Sequence, residues 1–158
     1  MTYTIPDEPT KTRWGHLVVR PSGPLLAAML CGSWMAWPWF IWNSIAMGSP
    51  TRRKEIAMCG VAVAGTVAMA FLFVYLWDRD IIESTTGVRL FSLGVATWKL
   101  GMAYAIETVQ SRTFHVYEYY GGTVQSHYRV ISVGYFAGWI LLQGISDPFW
   151  VIIIAGGL

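Results

Sequence analysis

The chain has 158 residues, 54% hydrophobic and only 13% charged, with a formal net charge of +2. That length is one domain, the small net charge gives no reason to expect nucleic acid as a partner, and the scarcity of charge, against about 25% in an average soluble domain, argues against a soluble core. Nine Trp, eight Tyr and seven Phe point to an all-α integral membrane protein with aromatic anchors at the headgroup level.

Residues 1–24 read as an irregular polar arm, because Pro6, Pro9, Pro21 and Pro24 leave little room for a helix. His16, alone in that arm, is expected to be solvated. No cleavable leader is expected, since Asp7, Glu8, Lys11, Arg13 and Arg20 precede the first apolar run, which starts only at Leu25. Residues 25–158 form a single transmembrane helical domain of about four helices joined by short loops. The first is placed at residues 25–47, where no charge interrupts the run, and a helix of that length covers about 35 Å, enough for a hydrocarbon core of about 30 Å. Pro38, among Trp34, Trp37, Trp39 and Trp42, is expected to kink it.

A basic turn, Arg52-Arg53-Lys54, leads to the second helix at residues 56–77. There Gly60, Ala64 and Ala68 recur every fourth residue, a smooth ridge on which another helix is expected to pack. Asp78, Asp80 and Glu83 follow in a polar connection without the glycine turn or ligand density of a calcium loop, and are read as solvated charges. The two cysteines, Cys31 and Cys59, lie in apolar runs without CxxC spacing, so buried packing is expected and no metal or other cofactor beyond lipid.

The third helix, at residues 88–110, is amphipathic. Arg89, Ser92, Ala96, Lys99, Ala103, Glu107 and Gln110 fall three and four apart and share one face, while Leu90, Phe91, Val95, Trp98, Met102, Ile106 and Val109 take the other. A spanning helix puts Lys99 near the bilayer centre, at a cost of about 2.5–3.5 kcal/mol unless it faces protein or water. An interfacial helix with the stripe in water is the competing arrangement, and the apolar runs on either side of Lys99 favour spanning. Residues 111–128 are read either as a β-hairpin about Gly121-Gly122 or as a continuation of the third helix to about Tyr120, the second being preferred. His115 and His127 each read as structural or solvated.

The fourth helix, at residues 130–145, carries Gly134-x-x-x-Gly138, a close-packing motif. After Asp147-Pro148 comes an apolar tail, residues 149–158, too short to cross again as a helix. Asp147, Pro148, Phe149 and Trp150 are expected to dock it on a partner, and Arg89, Ser92, Lys99, Glu107 and Gln110 to face a partner or a pathway. The other helices offer Asp147 as a counter-charge and Asn43, Thr66, Ser132 and Gln143 as neutral partners. With four spans, Lys11, Arg13, Arg20, Arg79 and Arg89 share one side and Arg52, Arg53, Lys54, Arg112 and Arg129 the other, so the positive-inside rule sets no orientation.

No nucleophile, phosphate-loop or HExxH constellation is present, so the chain is expected not to be an enzyme. The expected role is a non-catalytic accessory subunit of a larger complex in a bacterial inner membrane, with other membrane proteins as partners and a hetero-complex preferred to a homo-oligomer. The alternative is a small homo-oligomeric transporter or channel with Lys99 and Glu107 lining the path. An immunity-type membrane protein, or an enzyme using Glu107, Glu118 and His115, comes after these.

Overall fold

The first long apolar run does not make one helix. The computed structural model describes residues 9–10 and 12–154, and in it the chain stops at Cys31 and turns at Gly32. Gly32 has φ 100°, a region that favours glycine. The N–H groups of Cys31 and Gly32 both reach the Ala27 carbonyl, at 2.8 and 3.0 Å, closing α1 (Ser22–Leu30) before α2 (Ser33–Met47) begins. The two helices form a hairpin. The Val19 N–H just before α1 donates to Asn43 Oδ1 near the end of α2 (3.0 Å), and Val18 packs on Ala46 and Met47. The arm completes that end, with the Thr10 N–H on Gly48 O (3.1 Å) and the Thr12 hydroxyl on Ala46 O. The single helix expected at residues 25–47 is therefore corrected to two arms that start and finish at the same end. Pro38 lies inside α2, and the break is at Gly32.

The rest is helical as expected. After the turn at Gly48 come α3 (Arg52–Asp78), α4 (Thr85–Tyr119), α5 (Tyr128–Gln143) and α6 (Pro148–Ile154), with a 3-10 turn at Gly15–Leu17 ahead of them all. Among the described residues there is no strand, only an isolated parallel bridge between Val19 and Gln125, and one helix, α3, is long and apolar enough to cross a membrane. The Ser84 hydroxyl accepts the Gly87 N–H (3.0 Å) and caps α4. That helix runs 35 residues, about 52 Å, so the β-hairpin reading of residues 111–128 is corrected in favour of the continuation. Gly121, at φ 79°, ends it.

Packing follows the small residues, though not all those expected. Gly134 and Gly138 are buried, and a Cβ on them would lie 2.1 Å from Met35 Sδ and 2.8 Å from the Cys31 carbonyl respectively. This brings α5 against the tip of the hairpin. On α3 the expected ridge is corrected: Ala64 and Ala68 are exposed, and nothing lies within 4 Å of a Cβ on Gly60. Cys59, Ala62, Thr66 and Ala70 face inward instead. Trp98 of α4 sets this rotation. Its indole N–H donates to Ala62 O (3.2 Å) and its ring lies on Gly65, where a Cβ would come within 2.3 Å. Residues 155–158 of the apolar tail, with residues 1–8 and 11 of the arm, lie outside the described residues.

The paired glycines give a direct check. Gly65→Ala forces Trp98 off its hydrogen bond and is expected to destabilise by about 1–3 kcal/mol, whereas Gly60→Ala is expected to be neutral or to stabilise by about 0.5–1 kcal/mol. Denaturation midpoints of the two variants measure the difference.

Candidate functional site

The inner face of α4 carries the candidate site. Ala96, Lys99, Ala103, Ile106, Gln110 and Thr113 are buried along it, and three polar groups of neighbouring segments meet it in succession. Lys99 comes first. It is 3% exposed, and its ammonium donates to the carbonyls of Ile152 (2.5 Å) and Ile153 (3.4 Å). The Ser33 hydroxyl, at the start of α2, donates to the same Ile153 oxygen (2.7 Å). These carbonyls belong to α6, and each presents the negative end of a peptide dipole to the ammonium. A cavity of about 250 Å³ lies alongside, lined by Ser33, Trp37, Thr66 and Ile153 among others.

The second group is an amide pair. Gln110 donates through Nε2 to Phe40 O (2.7 Å) and accepts from Asn43 Nδ2 (3.3 Å), while Asn43 Oδ1 takes the Val19 N–H. These bonds join the hairpin to α4. The third group lies at the junction of α2, α3 and α4, where Glu55 Oε1 accepts from the hydroxyls of Ser49 and Thr51, each at 2.6 Å. Thr113 Oγ1 lies 3.5 Å from Ser49 Oγ.

The predicted stripe is thus divided. Lys99 and Gln110 face the interior of their own chain, Arg89 and Ser92 are exposed, and Glu107 is half-buried at the rim. Ser92 bonds its own helix at Val88 O (2.9 Å). Glu107 accepts from Ser111 Oγ (2.8 Å) and lines a cleft of about 270 Å³ with Arg20, His115 and Glu118, in which Arg20 and Glu118 pair at 3.6 Å. The three residues of the enzyme alternative therefore share a cleft, in which His115 and Glu118 are exposed and Glu107 is half-buried. Val95 and Ile106, assigned by periodicity to the outer face, are buried. His127 is buried against the position where Gly23 has no side chain, and His115 is exposed. Cys31 and Cys59 are both buried, Cys31 donating to Ile131 O at 3.4 Å. Among the described residues no group of three or more His, Cys, Asp or Glu is placed to hold a metal.

The tail segment expected to dock on another protein docks on this one. Asp147 Oδ1 accepts the Phe149 N–H (2.9 Å) at the start of α6, Phe149 lies 5.0 Å ring to ring from Phe71, and Trp150 remains exposed. Of the neutral partners expected for the stripe, Asn43 reaches Gln110, while Thr66 and Ser132 bond their own helices and Gln143 is exposed. Sequence reasoning missed Ser33 and the α6 carbonyls. The available signal was Asp147-Pro148 ahead of an apolar run, a helix start with proline in its first turn.

Gln110→Leu strands the Asn43 amide N–H and removes the side-chain bond to the Phe40 carbonyl, and is expected to cost about 1–3 kcal/mol. The double variant with Asn43→Leu should lose less than the sum of the two single losses, as a double-mutant cycle on unfolding free energies would measure. No family model, curated protein or solved structure matches the chain.

Proposed function

We propose that the chain is a multi-pass protein of a bacterial inner membrane and serves as a non-catalytic subunit of a larger membrane complex. In this reading α3, α4 and α5 cross, while the α1–α2 hairpin and α6 enter from opposite faces and stop at mid-depth. One observation carries it: the polarity of the chain is inverted. Phe71, Leu93, Val133, Phe136 and Ile140 are each more than 60% exposed, while Asn43, Glu55, Lys99 and Gln110 are at most 3% exposed. Water rewards the reverse arrangement, and hydrocarbon rewards this one, provided the inward polar groups find partners. Non-helical backbone at mid-depth is tolerated where protein covers it, as the hairpin tip is covered by α5.

The hairpin also changes the charge count. Arg13, Arg20, Arg52, Arg53, Lys54, Arg112 and Arg129 fall at the end where the hairpin opens, against Arg79 and Arg89 at the other. The positive-inside rule then orients the first end to the cytoplasm. The subunit role is supported by Lys99, Asn43 and Gln110 finding partners within their own chain, and by an outer face bearing Trp77, Trp139 and Trp150. Partners are then met on that outer face and not on the stripe. A second reading, a transporter, is favoured by the helix ends gathered at Lys99 beside a cavity, an arrangement suited to a mid-depth solute site.

Two measurements test this. A membrane-impermeant thiol reagent applied to intact cells should label Ser84→Cys and leave Gly121→Cys unlabelled; the opposite pattern reverses the topology. Gentle extraction from native membranes should yield fixed-ratio co-purification with other proteins, unaffected by Leu93→Ala on the lipid face. A lone peak at a multiple of the chain mass, with vesicle flux altered by Lys99→Met, would replace the subunit with the transporter.

A further inference from the structure

We propose that Glu55 is the charged ligand of a buried site for a monovalent alkali cation at the junction of α2, α3 and α4. Its side chain is almost completely enclosed, at 1% exposure. One carboxylate oxygen, Oε1, takes the hydroxyls of Ser49 and Thr51, and the other, Oε2, is buried with no hydrogen-bond partner. Among the described residues no basic side chain stands within ion-pair distance of it; Arg52, Arg53 and Lys54, just before it in sequence, are exposed. A second orphan lies close by in the fold. Ser44 Oγ of α2 is fully buried and unpartnered, and the Ser44 carbonyl accepts the Ser49 N–H at 3.1 Å, which ties its turn to the residue whose hydroxyl meets Glu55.

A carboxylate in the first turn of a helix is favoured by the helix dipole. That accounts for the presence of an acid at the start of α3, but not for an oxygen sealed from water without a donor. A bound cation gives that oxygen the positive partner it lacks. The ligands this proposal assigns, Glu55 Oε2 and the hydroxyls of Ser44, Ser49 and Thr113, are all hard oxygens and carry one full negative charge between them. Calcium and magnesium sites draw on more carboxylates or on retained water, so a single carboxylate among neutral hydroxyls matches a singly charged ion. The ion would fasten the end of α2, the start of α3 and the upper part of α4 to one another.

Thermal unfolding of the purified full chain in sodium, potassium and N-methyl-D-glucamine chloride, at equal ionic strength, tests the site. At saturation the preferred alkali ion is expected to raise the midpoint by about 5 °C over N-methyl-D-glucamine. Glu55→Gln, which keeps the shape and both hydroxyl contacts, is expected to abolish that difference, and Ser44→Ala to raise the ion concentration for half effect roughly tenfold. Equal midpoints of the unsubstituted protein in all three salts overturn the proposal, as does a difference of undiminished size in Glu55→Gln. Should that variant fail to fold, an unchanged ion dependence in Ser44→Ala overturns it.

Discussion

The rest of this structure depends on one cluster of backbone oxygens, the Ile152 and Ile153 carbonyls of α6. Lys99 and Ser33 supply the hydrogen bonds. Lys99 comes from the middle of the longest helix and Ser33 from the first turn of α2, so one cluster of oxygens ties three separate segments. The arrangement also serves the lysine. A buried ammonium needs negative partners, and backbone carbonyl oxygens offer them without a second ionised side chain.

The remaining polar contacts apply the same rule. Asn43 and Gln110 exchange one bond and use their other groups on backbone atoms of the hairpin and its approach. Trp34 sends its indole N–H to the Cys31 carbonyl at the hairpin tip (2.7 Å), where the turn at Gly32 has ended α1. Polar side chains here are chiefly partners for interrupted backbone. The interruptions are possible because glycines at Gly32, Gly134 and Gly138 let the segments approach closely.

Much of this was legible in the sequence. The helical class, the long α3 and the inward Gly134 and Gly138 follow from apolar runs and from steps of three and four, whereas Lys99 and Gln110 were expected to face a partner or a pathway and are answered within their own chain. The break at Gly32 was not legible, since a charge-free run of that length satisfies the rule for a continuous span and one glycine does not announce a left-handed turn. Nor was the rotation of α3. Gly60, Ala64 and Ala68 are as smooth as the face in use, and the choice is made by Trp98, a residue on another helix. The partners of Lys99 are not legible, because a backbone carbonyl has no letter in the sequence.

The hairpin has a consequence for the order in which the protein is completed. Residues 22–47 leave the ribosome first, yet α1 packs on α4 and α5, and the hairpin tip is bonded to α6 through Ser33 and Ile153. Nearly everything that holds the first two helices is made after them. A nascent chain ending after α3 therefore presents a hairpin with few of its final neighbours, and α6 closes a structure begun more than a hundred residues earlier. Loss of α6 would be felt at Ser33, in a part of the chain synthesised long before it.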